Sequence, residues 1–318
     1  MGHLIKGHTR GIELNISRHA RGDKPWERIY KNPLTGVKLY FADLGNPSVL
    51  GQGYGIIPYI TFPFISRRNF FFGFTVGTGY GLITKRFDPK NNHQNIAIGS
   101  RVNGMMHGSL EARWQLSQTS TLVSGIALTH YSNGAYKMPN LGINIPSVLL
   151  GYTFGFGNLK PDFKQDSLPA LSKKINYFLM ASGGVKETYP VRGKKYSSWL
   201  VSSFLLKPLN RKSSLGLGAD IFYNRTLGFL LSDSTGTLAP FSKIIRAGIF
   251  IPYEIDVSRI SIVIQAGVYL LDSYHEDGSL YQRIGCHYKL NDHLFVNYTL
   301  KLHFGRADNL ELGLGYRF

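Results

Sequence analysis

Hydrophobic and polar residues alternate along the C-terminal segment NLELGLGYRF. Its large apolar side chains fall on every second position from Leu310 to Phe318, and polar residues or glycines fall between them. Successive side chains of a β-strand point to opposite faces, so the pattern predicts a strand with one apolar and one polar face. The same period returns in the segments 293–303, 258–271 and 212–225.

This alternation predicts about fifteen strands, separated by short turns and longer polar connections in alternation. The predicted strands lie near 10–18, 36–44, 52–65, 69–84, 103–116, 120–132, 145–157, 174–184, 195–207, 212–225, 241–254, 258–271, 280–290, 293–303 and 308–318.

Three properties favour a membrane barrel over a soluble β-sandwich. The strands are about ten residues or longer, which is the length that a tilted strand needs to cross a bilayer. Their second face is rich in Gly, Ser, Asn and Thr, which suits a polar lumen, and the turns are short at one end and long at the other. The sequence therefore predicts an all-β fold: a transmembrane antiparallel β-barrel of 14–16 strands, of the Gram-negative outer-membrane type.

Two halves flank a polar segment that contains two prolines. We expect residues 1–157 to form one half of the barrel, 158–173 to form a periplasmic connection, and 174–318 to add eight strands to the same barrel. The connection is also compatible with a link between two smaller barrels. Counting strands back from a periplasmic C-terminus places the loop 133–145 at the extracellular rim.

The amino-acid composition limits the kinds of binding partner and cofactor that the protein is expected to have. The net charge of +17 suggests an anionic partner, but the basic residues stand singly in loops and strand ends, and no nucleic-acid-binding motif is present, so no nucleic acid is expected. A single cysteine excludes a disulfide framework, and the ten histidines show no metal-ligand spacing. No metal and no cofactor are expected.

Candidate chemistry lies in ALTHYSNGAYKMPNLGINIP, residues 127–146. His130 and Ser132 share strand parity with Leu128, and therefore with the lipid-facing side. Asn144 has outward parity on the next strand. Three polar groups thus converge on a surface where polar groups are costly. An alternative interpretation is an interfacial polar cluster that ends the apolar band.

These residue types fit acyl transfer. Ser132 is a nucleophile once a base takes its proton, and His130 is placed to act as that base. The amide oxygen of Asn144 would fix the imidazole tautomer. The Asn133 side chain or the Gly134 backbone N–H would stabilise the oxyanion. A site that faces lipid implies a substrate already in the leaflet.

At these residues the sequence resembles the outer-membrane lipid A 3-O-deacylases of the PagL type, an acyloxyacyl hydrolase family. The resemblance covers about residues 8–157. It implies Ser132 as nucleophile, His130 as base, Asn133 as an oxyanion contact, and removal of an ester-linked 3-hydroxyacyl chain from lipid A of lipopolysaccharide in the outer leaflet. The matching positions are His130, Ser132, Asn133, Pro139, Asn140, Gly142 and Ile143.

The sequence departs from the family pattern at two places. The acid of the family falls on Asn144, whose amide orients His130 but does not offset an imidazolium charge. The phenylalanine that the family carries on the adjoining strand is replaced by Met106 or Gly108. Two alternatives therefore stay open: a porin-like channel or transporter, and a structural barrel with weakened catalysis. The acyl chain removed and the oligomeric state are left open as well.

Overall fold

The chain is almost entirely β-structure. The computed structural model describes residues 4–156, 163–164, 166–232 and 236–318. None of the helices in these ranges is long and apolar enough to cross a membrane. The strands are β1 Arg10–His19, β2 Leu34–Asp43, β3 Gln52–Ser66, β4 Phe70–Ile83, β5 Val102–Gln115, β6 Ser120–Ser132, β7 Ile143–Phe154, β8 Asn176–Glu187, β9 Lys195–Pro208, β10 Ser213–Asn224, β11 Ile245–Val257, β12 Ile260–Leu271, β13 Leu280–Lys289, β14 Leu294–His303 and β15 Arg306–Arg317. The short helices are α1 Pro25–Ile29, α2 Arg225–Leu230 and α3 Phe241–Ile244, with a 3₁₀ turn at His275–Asp277.

The strand pairing divides into two separate sheets. Strands β1 to β7 form an antiparallel seven-stranded sheet in chain order, and β8 to β15 form a closed antiparallel barrel of eight strands. The all-β fold and the count of 14–16 strands are confirmed. The expectation that 174–318 join the same barrel is wrong, because β15 pairs with β8 and closes the ring. Strand number and period are the same for one large barrel and for two smaller sheets, so the pattern could not distinguish them.

The chain correspondingly forms two compact units. The first contains Met1–Asn133 and Pro139–Pro169, and the second contains Gly134–Met138 and Ala170–Phe318. The predicted connection 158–173 falls between the sheets, but 157–162 and 165 lie outside the described residues.

The concave side of the seven-stranded sheet is filled in two layers. Near the ends of β2 and β6, fully buried apolar side chains form a cluster that includes Tyr131, Met105 and Ile57. Further along, polar side chains replace them, and Glu111 binds Arg113 with 2.7 Å between the carboxylate and the guanidinium nitrogen. Polar groups buried without partners are costly, so this pairing allows a polar interior within an apolar wall.

The interior of the eight-stranded barrel is filled with side chains as well. The guanidinium of Arg283 is fully buried and contacts Asp220 at 3.0 Å and Glu311 at 2.8 Å. The rings of Phe222, Phe250 and Tyr281 pack around it. Sequence alternation predicted an inner face of small polar residues with some charges. The structure buries such residues there, among them Ser202, Asn297 and Thr299, and adds large aromatic rings that the pattern did not predict. The interior of an eight-stranded barrel is just wide enough to be filled by side chains.

Candidate active site

The outer face of the β6–β7 hairpin carries the predicted residues. Along β6, Thr129 and Tyr131 are 0% exposed, whereas Leu128 is 52% exposed on the opposite face. His130 and Ser132 share the parity of Leu128 and are half-buried. The structure therefore places the imidazole and the hydroxyl on the convex side of the sheet, as neighbours two residues apart on one strand.

His130 is held by the facing strand. His130 and Asn144 are directly paired in the β6–β7 register. The distance between Nδ1 of His130 and Oδ1 of Asn144 is 2.7 Å. Because the amide oxygen only accepts, Nδ1 carries the proton and donates it, which leaves Nε2 as the basic nitrogen of the ring.

A glycine makes room beside this ring. Gly142 has φ of 77°, in the left-handed region that favours glycine. A Cβ atom there would lie 2.7 Å from Cε1 and 3.4 Å from Nε2 of His130. Any larger residue would displace the imidazole from the position in which Asn144 holds it.

The hydroxyl of Ser132 contacts a second amide. Nδ2 of Asn140 donates to Oγ of Ser132 at 3.0 Å. The backbone N–H of Asn133 donates to Oδ1 of the same amide at 3.0 Å. This backbone contact fixes which end of the amide is oxygen, so the NH₂ group faces the serine. An N–H donor so close to the nucleophile is near the position where an oxyanion would form.

The side chain of Asn133 points to a different partner. Its Nδ2 donates to Oγ of Ser100 at 2.7 Å, and that hydroxyl donates to Oδ1 of Asn103 at 2.6 Å. Ser100 and Asn103 are buried. One N–H of the predicted oxyanion donor is thus used to anchor the loop after β6. Gly134, the other predicted donor, has φ of 62° and clusters with the second unit of the chain.

The adjoining strand β5 supplies a shallow surface beside the two residues. Met106 pairs with His130, and Gly104 pairs with Ser132. Met106 is 46% exposed, and Gly104 has no side chain to cover the hydroxyl. The carboxylate nearest in sequence on this strand, Glu111, points to the opposite face and is buried. It therefore does not replace the missing acid.

Asn140 matches the family motif but has no role predicted from sequence, and neither Ser100 nor Asn103 was predicted to contribute to the site. Asn140 lies in a loop eight residues after Ser132, and strand parity assigns no direction to a loop residue. Ser100 lies in the connection before β5, more than thirty residues from Asn133 in sequence. No group of three or more His, Cys, Asp or Glu side chains in the described part of the chain is arranged to hold a metal ion.

Two family models match the chain, one in each half. Residues 10–153 match the family model described as Lipid A 3-O-deacylase (PagL). Residues 175–318 match the model described as Acyloxyacyl hydrolase, C-terminal domain. A comparison with curated proteins finds no match.

Among solved structures, similar chains include a triple mutant of the Rhodopseudomonas blastica porin, with 8% identity, 98% of this chain and 91% of that chain covered, and a TM-score of 0.20. The Pseudomonas putida toluene transporter TodX is similar with 9% identity, 97% and 86% coverage, and a TM-score of 0.21. The two family matches together span most of the sequence, including the His130–Ser132 hairpin, and the chain belongs to the PagL family of outer-membrane lipid A deacylases.

Proposed function

We propose that this protein hydrolyses an ester-linked 3-hydroxyacyl chain of lipid A, with its reactive groups on the lipid-facing surface at the extracellular leaflet. The observation that carries the proposal is the cluster on the outer face of the β6–β7 hairpin. It unites an imidazole with a defined tautomer and a serine hydroxyl already contacted by an amide donor. Such a cluster on an apolar face suits a substrate whose acyl chains lie in the bilayer.

The proposed reaction begins with proton transfer from Oγ of Ser132 to Nε2 of His130. Oγ then attacks the ester carbonyl carbon, and the carbonyl oxygen becomes an oxyanion. The amide NH₂ of Asn140 donates to this oxyanion, together with the backbone N–H of Gly134 or the side-chain amide of Asn133.

The leaving sugar hydroxyl takes the proton from His130 as the C–O bond breaks, which leaves an acyl-serine. Water, deprotonated by the same imidazole, hydrolyses the acyl-serine and releases the 3-hydroxy fatty acid. Asn144 holds the ring in position throughout, but a neutral amide does not balance the charge of the imidazolium ion.

Lipid A mass spectrometry tests the proposal. Cells that express the wild-type protein are expected to show lipid A that has lost one hydroxyacyl chain, and cells that express His130→Ala or Ser132→Ala are expected to show intact lipid A. Equal folding and insertion of the variants must be shown by heat-modified electrophoretic mobility. Deacylation by the Ser132→Ala protein at the wild-type rate would rule out the mechanism.

The Asn144→Glu variant separates an enzyme from a structural barrel. A carboxylate at this position would hold the same imidazole and stabilise its charge, so the deacylation rate is expected to rise about tenfold. Absence of deacylation in both forms, with folding intact, would favour the structural barrel.

The filled interior of the eight-stranded barrel argues against a porin-like channel, because Arg283, Phe204 and their neighbours occupy the lumen. The channel alternative is tested by conductance in planar bilayers, and the conductance is expected to remain at background.

A further inference from the structure

A large cavity lies at the end of the seven-stranded sheet that is remote from Ser132. Its volume is about 1060 Å³, and its lining includes Thr121 at the start of β6 and Thr153 at the end of β7. Ser132 lies eleven residues beyond Thr121 on β6, which corresponds to about 35 Å along a strand. The volume is at the upper end of the roughly 300–1,000 Å³ typical of small-molecule sites.

The space between this cavity and the candidate active site is occupied. Glu111 and Arg113, two residues apart on the inner face of β5, form an ion pair, and the hydroxyls of Ser109 and Thr75 donate to the same Glu111 carboxylate. The apolar cluster around Tyr131 follows on the side nearer to the candidate active site. The cavity is therefore a separate feature and not an extension of the catalytic surface.

The cavity reaches past the edges of the sheet. Five successive residues of β1, from Asn15 to His19, line it, although alternate residues of a strand face opposite sides. Residues 153–156 of and after β7 line it too. Among the described strands, β1 pairs only with β2 and β7 only with β6. Within the part of the chain that the structure describes, the cavity is therefore open sideways along the edges of β1 and β7.

One part of the lining is strongly basic. Five of the six cations in the lining are exposed and have no ion pair within the described ranges, whereas the sixth, Arg113, pairs with Glu111. The two acids of the lining are already engaged. Asp23 pairs with Lys164 at 2.9 Å, a contact that lowers the pKa of the Asp23 carboxyl, and Glu27 accepts the backbone N–H groups of Gly22 and Asp23. A cleft with uncompensated charge of one sign concentrates ions of the opposite sign. The five cations are Arg18, Arg21, Lys24, Arg67 and Arg68.

The other part of the lining is apolar and mainly aromatic. A water-soluble anion would use the cations and leave this wall unused, and a neutral lipid would use the wall and leave the cations unused. Only a molecule with an anionic head and a hydrocarbon chain contacts both. The apolar residues are Ile16, Trp26, Phe70, Phe71, Phe154, Phe156 and Phe163.

We propose that this cavity binds a membrane amphiphile whose head group is a carboxylate or a phosphate. The head group lies against the arginines of the β3–β4 turn and of the segment after β1, and the chain lies along the aromatic wall. The amphiphile enters sideways from the bilayer through the gap beside β1 and β7. Both a free fatty acid and an anionic phospholipid have this chemistry.

Quenching of Trp26 by brominated lipids tests the proposal. The full-length protein has three tryptophans, so the Trp114→Phe and Trp199→Phe substitutions leave Trp26 as the reporter in the wall of the cavity. In zwitterionic detergent, 9,10-dibromostearate or dibrominated phosphatidylglycerol is expected to quench Trp26 with saturation, and dibrominated phosphatidylcholine is expected to quench it only in proportion to its micellar concentration. Saturation by one anionic probe alone identifies the source of the head group.

Two variants make the test specific. Arg67→Gln with Arg68→Gln removes two exposed cations from a turn and should weaken saturable binding by about tenfold or more. Lys173→Gln with Lys174→Gln removes the same charge from residues that do not line the cavity and should leave binding unchanged. Thr153→Phe fills the cavity from its inner face and should abolish saturation. Non-saturating quenching by all three lipids, or equal weakening by the two double variants, would overturn the proposal.

Discussion

The two β-sheets of this protein are built from the same alternating pattern, but they use their outer faces differently. In the eight-stranded barrel the outward residues of β10, such as Leu217 and Ile221, are apolar and exposed. In the seven-stranded sheet, β6 begins its outer face in the same way and ends it with His130 and Ser132. The candidate site is therefore distinguished by an imidazole and a hydroxyl together on the apolar parity, with Asn144 of the facing strand bonded to the imidazole.

The charged groups buried inside the eight-stranded barrel have a structural role instead. Arg283 is fully buried inside the barrel, where it forms ion pairs with Asp220 and Glu311 and has no surface left for a ligand. Charged groups inside this eight-stranded barrel thus contribute to packing, whereas the polar cluster on the outer face of β6 is the proposed site of chemistry. Each of the following variants tests one side of this contrast.

The largest effect is expected from Ser132→Ala. Loss of the nucleophile should lower the deacylation rate by about 10⁴-fold or more and leave folding unchanged. The measurement is release of 3-hydroxy fatty acid from purified lipopolysaccharide by the detergent-solubilised protein. Ser124→Ala is the matched control, since this serine lies on the same face of β6 and pairs with Leu150, away from the cluster. If both variants lost deacylation activity to a similar extent, the end of the β6–β7 hairpin would not differ in function from the rest of the outer face.

Arg283→Met should affect stability and not chemistry. It leaves Asp220 and Glu311 buried without their cation, which is expected to lower the free energy of unfolding by about 3–5 kcal/mol. Urea-induced unfolding in detergent, followed by electrophoretic mobility, measures the change. Arg259→Met removes an exposed arginine from the β11–β12 turn and should have no measurable effect. A stable Arg283→Met barrel would contradict the packing role of the network.

Asn140→Ala is expected to reduce the rate by about 10²-fold, because it removes the amide donor beside Oγ of Ser132. The loss should appear in kcat and not in KM, since the oxyanion exists only after attack. Asn91→Ala, in an exposed loop of the same unit, is the control. An unchanged kcat would assign the oxyanion to the Asn133 and Gly134 donors that the sequence predicts.

The smallest effect is expected from Ser100→Ala. It removes the hydroxyl between Asn133 and Asn103 and should lower kcat about fivefold, the equivalent of roughly one hydrogen bond. Ser100→Thr keeps the hydroxyl and should restore the rate. If Thr and Ala behave alike, the hydroxyl does not position the loop.

Much of the candidate site could be predicted because strand parity is a local property. The outward direction of His130 and Ser132 follows from their positions relative to Leu128, and the pairing of His130 with Asn144 follows from a single hairpin register. The contacts of Asn140 and Ser100 were out of reach, because loop side chains have no fixed parity and the contact from Ser100 to Asn133 spans 33 positions of sequence. The sequence therefore did not predict that the Asn133 amide would donate a hydrogen bond to Ser100.

The sequence by itself determined the number of strands, the face on which each residue lies and the residues that could react, because the two-residue period of a strand acts between neighbours. Only the tertiary structure decided that the strands form a seven-stranded sheet and a separate closed barrel. That division depends on one long-range pairing, β15 with β8, and on whether inward side chains such as Arg283 fill the lumen. Closure of the barrel requires hydrogen bonds between strands that are more than a hundred residues apart in sequence. Alternation of side chains within each strand carries no information about which distant strand it will pair with.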